Sequence, residues 1–452
     1  MTKRRALLAA GMTTALAVTL IGCTSGNGGG GGAGASKTNC TNEIKVQDVP
    51  VVTYWGWFED TAQTVDNFNE SHDDVQICWT NAGQGADAYT KLSTSLQSKS
   101  GAPDIVQIEY DWLNSFLIQG GLVNMAEHGI EEYKDSFTEG AWRDVSSGDG
   151  VYAVPVDLGP VGMWYRADLF EEHGIPVPTT WEEYAAAGEQ LSEATGGETL
   201  IGNFAPNGAG QHYALLDQAG AVPFEFDNGN PTEIGINHDD EASKKVYEYW
   251  IDLVDRGLVG TDQAWTSEFN TALGGGRYAT AIYPVWYNIH IPAFEGAEEG
   301  AEWRAAPIPQ WDGSEPKQVN WGGSTLAVTA QAEDPALATK VAAELYEPQE
   351  NKELGVEVGG LFLAYPEMIE SDYFQDRPYE FYGGQQINKE VFGPAALAYE
   401  GVTFSPFSQY YYDESQRLLS EAIAGNMSAT EAAEELQVSL ETYATDQGFT
   451  LK

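Results

Sequence analysis

Basic residues are scarce in this sequence: 22 Lys and Arg stand against 68 Asp and Glu, a formal net charge of −46. A field of that sign repels nucleic acid and anionic lipid headgroups, which argues against both as partners of the folded body. It attracts cations, so a cationic small ligand passes this test. Cysteine is nearly absent, limited to Cys23, Cys40 and Cys78, and no CxxC pair occurs. The six histidines are widely scattered, which disfavours a zinc centre. HExxH, GxSxG and GxxxxGK[ST] are missing, and with them any local sign of metalloprotease, serine-hydrolase or P-loop chemistry. No metal, no cofactor and no catalytic residue is therefore expected, and the chain reads as something other than an enzyme. Long apolar runs are also missing, apart from one near the N-terminus.

That run has a specific form. Lys3, Arg4 and Arg5 precede an uncharged stretch from Ala6 to Ile21, too short for a comfortable membrane span and flanked as a secretory signal is. It closes on Leu20-Ile21-Gly22-Cys23, which resembles the lipobox of bacterial lipoproteins. The resemblance implies that residues 1–22 are removed, that Cys23 takes a diacylglycerol, and that only this lipid touches the membrane. The expected place is the extracellular face of the cytoplasmic membrane. Ser25 to Lys37 is almost all Gly, Ser, Ala and Asn, so residues 23–40 form a flexible tether. With Cys23 lipidated, Cys40 and Cys78 remain as an even pair in an oxidising compartment. One lies before the first predicted strand and one inside the second, so neighbouring parallel strands would bring them into a disulfide.

The remainder is rich in apolar residues, 42% of the chain, and long enough for two domains with real cores. Val51 to Trp55 reads as a buried strand, and Thr61 to Ser71 as a helix with Ala62, Val65 and Phe68 on one face. Val75, Ile77 and Trp79 alternate as a second strand, Tyr89, Leu92 and Leu96 mark a second helix, and Ile105 to Ile108 a third strand. Strands separated by helices of this length imply βαβ units and a parallel sheet. Thr180 with Glu183 and Ser428 with Glu431 have capping-box spacing, and Asp334-Pro335 places proline at a first helical position. Gly83-Gln84-Gly85-Ala86-Asp87-Ala88 matches GxGxxA, but an exported chain has little access to dinucleotides, and short glycine loops suit any βα turn. Asp227 to Asn230 lacks the closing Glu of a calcium loop.

Several segments, in order, resemble the solute-binding proteins of bacterial ABC sugar importers, the maltose-binding-protein-like family. They are Gly101-Ala102-Pro103-Asp104-Ile105-Val106 with Asp111 and Gly120-Gly121-Leu122, Tyr152 to Asp157, and Trp164 to Phe170 with Pro178-Thr179-Thr180-Trp181. Gly276 to Ala281 leading to Trp286, and Trp321-Gly322-Gly323-Ser324, complete the pattern. The resemblance covers about residues 48–450. It implies an α/β, two-lobe periplasmic-binding-protein fold of type II with a hinged cleft. The lobes would be 41–156 with 326–360, and 158–322 with 366–452, hinged near Asp157, Ser324 and Phe362. Trp286 matches a sugar-stacking tryptophan of the family and Asp111 a sugar-contacting aspartate. Ile108 stands where maltose-binding protein has a sugar-contacting tryptophan, so a different ligand pose is implied. Ile308 to Gly313 ahead of Trp321 resembles the plant-oligosaccharide and galactoside branch.

Sugar recognition needs flat aromatic faces for pyranose C–H surfaces and planar polar groups for hydroxyls. The chain carries 13 Trp and 23 Tyr. In open α/β sheets ligands sit beyond the C-terminal ends of strands. That rule selects Trp57, Phe58 and Glu59 after the first strand, and Glu109, Tyr110 and Asp111 after the third. It also selects Tyr283, Trp286 and Tyr287 after a later strand, and Trp321, Gly322 and Gly323. Trp55 and Trp112 are weighed evenly between core and cleft, and Asp157 toward the hinge. The expected protein is a monomeric receptor that captures an oligosaccharide and passes it to ABC permease subunits. A polyamine or other cation receptor and a secreted glycoside hydrolase are the alternatives.

Overall fold

The computed structural model describes residues 39–297 and 300–452; Cys23, the leader and most of the tether lie outside them. Three parallel strands, β1 (Val51–Trp55), β2 (Gln76–Thr80) and β3 (Ile105–Glu109), alternate with helices α1 (Thr61–Ser71) and α2 (Gly85–Ser98). A further helix, α3 (Tyr110–Leu117), starts directly at the end of β3. The first sheet is completed by β4 (Val154–Pro155) and by a later strand, Ser324–Val328, which runs antiparallel to both β3 and β4. With that strand as β8, the order is β2-β1-β3-β8-β4. Thr53 pairs with Cys78 in the β1–β2 register, and Cys78 is disulfide-bonded to Cys40.

Two local expectations change. Ala62 is exposed, and the buried face of α1 is Thr61, Thr64, Val65, Phe68 and Asn69. The helix is turned by its polar anchors: Thr64 donates to the buried Asp60 at 2.8 Å, and Asn69 donates to Ile77 O at 2.9 Å. β2 is buried on both faces instead of alternating. Gln76 survives there because its amide donates to Asn69 O and His72 O and accepts from Lys45 N–H, which meets the rule that buried polar groups be paired.

The second sheet is antiparallel: β5 (Val161–Arg166) lies between β6 (Thr280–Pro284) and β7 (Trp303–Pro307). Strand periodicity splits its side chains cleanly. Val161, Met163 and Ile282 face a core shared with α4 (Trp181–Thr195), α5 (Ala209–Gln218) and α6 (Glu241–Asp255). Two C-terminal helices, Ser408–Ile423 and Ala429–Asp446, close that layer. Trp164, Tyr283, Trp303 and Ala305 face the other way, into an apolar cluster continuous with the first sheet. Ser428 and Glu431 form the reciprocal capping box, and Asp334 caps the helix that starts at Pro335. Thr180 caps α4, but the Glu183 carboxylate turns to the N–H and hydroxyl of Thr179 instead of closing the box.

Three extended passages run side by side between the sheets. Leu158 N–H donates to Phe362 O at 2.8 Å and Ala364 N–H to Val156 O at 2.9 Å. Gly159 N–H donates to Asn320 Oδ1 at 2.7 Å, and Trp321 N–H to Gly159 O at 2.8 Å. Asp157 accepts from Ser324 N–H at 2.8 Å, which pins the first passage to the second.

Candidate functional site

Where these passages cross, the ends of both sheets leave a cavity of about 640 Å³. One wall comes from the first sheet: Trp57 and Phe58 after β1, Gln84 before α2, and Glu109, Asp111 and Trp112 at the β3–α3 junction. The facing wall comes from the second: residues 207–210 entering α5, then Trp265, Trp286 and His290. Asp157 and residues 321–324 form the floor, and Tyr412 closes one side.

The first wall is held by a polar relay. Trp57 N–H donates to Gln107 Oε1 at 2.8 Å, and Gln107 Nε2 donates to Ser324 Oγ at 3.1 Å. Tyr89 lies between Trp57, edge-on at 6.0 Å, and Trp112 at 4.9 Å, and its hydroxyl donates to Glu109 at 2.8 Å. Asp111 accepts from the Tyr412 hydroxyl, so one carboxylate oxygen is already engaged across the cleft. Burial holds Glu109 above the usual carboxylate range, and the nearby Asp111 adds to that shift. Burial also raises Asp111, against the Tyr412 hydrogen bond. It pushes Asp157 up to about 7, against the Ser324 N–H. No lysine or arginine lines the cavity among the described residues.

The second wall is aromatic. Trp286 stacks on Trp265 with centroids 5.7 Å apart and planes at 21°, and meets Trp321 edge-on at 5.8 Å. The Trp286 indole N–H donates to Trp321 O at 3.2 Å. Gly322 and Gly323 have φ of +78° and +93°, a backbone that only glycine takes freely, and a Cβ at Gly323 would lie 2.5 Å from Asp157 O. This pair lets the floor approach the passage through Asp157 closely.

Of the twelve residues selected from the sequence, eight line this cavity: Trp57, Phe58, Glu109, Asp111, Trp286, Trp321, Gly322 and Gly323. Four do not. Glu59 is exposed and faces a separate groove of about 200 Å³ beside Ile289 and Gly360. The buried Asp60, bonded by Thr64 and Tyr346, turns the chain inward just after it. Tyr110 is buried and lines a narrow space of about 20 Å³ behind the cleft, with Tyr213 and Phe404. Tyr283 and Tyr287 stack on each other at 4.2 Å beneath the floor. Tyr283 points inward by strand alternation, and the 3₁₀ turn Val285–Ile289 that presents Trp286 buries Tyr287. Ile108 is fully buried and does not line the cavity.

Sequence reasoning missed Gln84, residues 207–210, Trp265, His290 and Tyr412, left Trp112 undecided, and weighed Asp157 toward the hinge, although it lines the cavity as well. The small, polar run Asn207-Gly208-Ala209-Gly210 before a helix was the one local signal available. A Cβ on Gly210 would meet the Trp321 indole nitrogen at 2.3 Å, so that glycine makes room for the floor tryptophan.

A family model described as bacterial extracellular solute-binding protein matches residues 63–379. The arabinooligosaccharide-binding protein of Halalkalibacterium halodurans is 26% identical over 262 residues, 55% of this chain and 56% of that one. The chain thus spans little more than half of that relative's length. The lactose-binding protein of Rhizobium radiobacter is 23% identical over 363 residues, 74% of this chain and 80% of its own. Among solved structures, an ABC-transporter-associated binding protein from B. animalis subsp. lactis, in complex with β-1,6-galactobiose, has a TM-score of 0.74. It is 27% identical, over 90% of this chain and 100% of that one. The galacto-N-biose-/lacto-N-biose I-binding protein of Bifidobacterium longum has a TM-score of 0.77 at 24% identity, over 89% of this chain and 99% of its own, a likeness of fold.

Proposed function

The chain belongs to the bacterial extracellular solute-binding proteins, and from that premise we propose that it captures an oligosaccharide in this cleft and delivers it to an ABC importer. The family binds solutes outside the cytoplasm and is not catalytic, which sets the glycoside-hydrolase alternative aside. One observation carries the sugar reading: the indoles of Trp286, Trp321 and Trp57 line one cavity together with hydrogen-bonding carboxyls and amides. Those are the two chemistries a sugar ring requires. The ligands of the relatives, an arabinooligosaccharide, lactose and β-1,6-galactobiose, are of the same class.

The strand order β2-β1-β3-β8-β4 and the three passages support a type II hinge with lobes at 41–156 with 326–360, and 158–322 with 366–452. A ligand that touches both walls binds the closed state better than the open one and shifts the population toward closure. The permease subunits then read closure as loading. The lipobox-like Cys23 supports anchoring of this monomer at the outer face of the membrane. A Cys23→Ala variant is expected either to be released into the medium or to stay unprocessed, while the untethered body keeps its affinity.

A thermal-shift screen against mono- and oligosaccharides tests the reading, since a ligand at 100 times its Kd stabilises by about 2.7 kcal/mol. The cation alternative has one observation in its favour, the raised carboxyls Glu109, Asp111 and Asp157 without a lysine or arginine beside them. Salt separates the two: affinity for a polyamine falls steeply with ionic strength, whereas affinity for a neutral sugar barely changes.

A further inference from the structure

β2 is the outermost strand of the first sheet, and its parallel pairing with β1 leaves the N–H and C=O groups of Ile77 and Trp79 on the free edge. An open edge of that kind is a template for another strand, and proteins cover it. Here all four groups are met without one. Asn69 on α1 takes both groups of Ile77: its Oδ1 accepts the N–H at 2.7 Å and its Nδ2 donates to the O at 2.9 Å. Trp79 depends on the segment ahead of β1. Asn42 Oδ1 accepts its N–H at 2.8 Å, and Thr41 N–H donates to its O at 2.7 Å. Further along, the N–H groups of Lys45 and Val46 donate to Gln76 Oε1 at 2.8 and 3.2 Å. Asn42, Ile44 and Val46 are half-buried whereas Thr41, Glu43 and Lys45 are exposed, the alternation of an edge strand without its ladder.

This cap is weak on its own. Fixing residues 39–46 costs backbone entropy at every position, and hydrogen bonds that lie partly in water return little. The Lys45 ion pairs with Glu43 and Glu70, at 3.7 and 3.4 Å, are at the surface and add little. One end of the cap continues into β1 through Asp48, whose φ of +63° turns the chain, and the other is bonded to β2 by Cys40–Cys78. Without that bond the cap is a chain end, and chain ends fray. We propose that the Cys40–Cys78 bridge is a redox-sensitive latch on the cap. With the bridge closed, the folded body begins at Cys40; with it reduced, residues 39–46 leave β2 and lengthen the Gly- and Ser-rich stretch ahead of them. Cys40 is half-buried whereas Cys78 is 1% exposed, so a dithiol reductant reaches the Cys40 sulfur first. Its thiolate bonds to that sulfur, the S–S bond breaks, and Cys78 leaves as a thiolate that takes a proton. The second thiolate of the dithiol then displaces Cys40, which takes the other proton, and the reductant departs as its own disulfide. The sheet survives, because Asn69 keeps Ile77 satisfied and only Trp79 exchanges its partners for water.

Amide hydrogen exchange and limited trypsin digestion of the full chain, oxidised and after dithiothreitol, test the latch. Reduction is expected to speed exchange at Lys45 and Val46, and cleavage after Lys45, by about tenfold or more. Ile77 is expected to keep its protection while Trp79 loses part of its own. A Cys40→Ser/Cys78→Ser variant should match the reduced protein with no reductant present. Asn42→Ala, with the bridge intact, should speed exchange at Trp79 but leave cleavage after Lys45 within about twofold of the wild type. The latch is overturned if residues 39–46 stay protected once mass mapping shows both cysteines reduced. It is overturned as well if Ile77 loses protection together with the cap, the mark of a bridge that holds the whole strand. Reduction that occurs only in unfolded protein, or an Asn42→Ala variant cut after Lys45 as fast as the reduced protein, would also end it.

Discussion

The wall built on the first sheet and the wall built on the second differ in chemistry and in how they are held. The first carries Glu109 and Asp111 on a parallel βαβ frame whose strand β2 is bridged by Cys78 to Cys40 in the segment ahead of β1. Its polar groups engage protein partners already, Tyr89 for Glu109 and Tyr412 for Asp111. The second carries Trp286 on the turn that follows β6 and Trp265 on the loop before the helix Ser267–Gly274, each with a ring partly open to the cleft. A carboxyl must be satisfied before the ligand arrives, because an unpaired buried one is costly, whereas an indole face can wait in water at modest cost. The first wall therefore suits orientation and the second contact area.

The largest effect expected from breaking this asymmetry is on the staple. The Cys40–Cys78 bridge has a sequence separation of 38. A Cys40→Ala/Cys78→Ala variant should lose roughly 3–4 kcal/mol in denaturant unfolding by chain-entropy reasoning, with sugar affinity of the folded fraction unchanged. A loss of affinity at full folding would mean that the bridge shapes the first wall.

Next in size is the pH dependence of the ligand-free protein. Asp157 is raised to about 7 and Asp144, buried against Tyr399 and Val402, to about 8, both by burial, and Glu109 is raised in the same direction. A carboxyl raised in the folded state stabilises below its unfolded pKa, and that contribution is lost as pH rises through the folded value. His212 and His238 act oppositely below about pH 6.5, because burial lowers both to about 3 and folding keeps them neutral. Between about pH 6.5 and 8 the carboxyls outweigh the fading histidine contribution, so stability should fall by on the order of 2 kcal/mol. Glu109→Gln should flatten that slope in a series of thermal melts; a stability that rises with pH in this window would contradict the assignment.

Affinity separates the walls more directly. Trp286→Ala should cost roughly 1–3 kcal/mol of sugar binding by lost contact. Glu109→Gln should cost about 1 kcal/mol, since an amide keeps one acceptor and a hydroxyl partner adapts. For a cationic ligand the order reverses, because a charge-assisted bond loses more on neutralisation. Calorimetric titration of both variants with one ligand decides between them.

Much of the frame was legible because its signals are local. The strand–helix alternation from Val51 to Ile108, the cap residues Ser428 and Asp334, and the pairing of Cys40 with Cys78 follow from period, spacing and count. The rule that ligands sit beyond strand ends found Trp57, Glu109, Asp111 and Trp286. It could not tell Trp286 from Tyr287 or Phe58 from Glu59, because one residue of offset at a strand end or in a 3₁₀ turn moves a side chain between cleft and core. Trp265, His290 and Tyr412 left no trace in the sequence, since each reaches the cleft from a segment with no motif of its own.

Composition and pattern alone therefore determined the class of molecule: an acidic α/β body with aromatics and acids at strand ends and no catalytic or metal motif. Hydrophobic periodicity and charge count are properties of short windows and of sums, which a linear text preserves. Only the tertiary structure decided which aromatics became cleft and which became core. It joined Tyr412 to Asp111 across 301 positions and clamped Asp262 and Ala264 to Asn203 and Asn207. Those choices depend on backbone direction and on which surfaces meet, and neither is written within any one window of the chain.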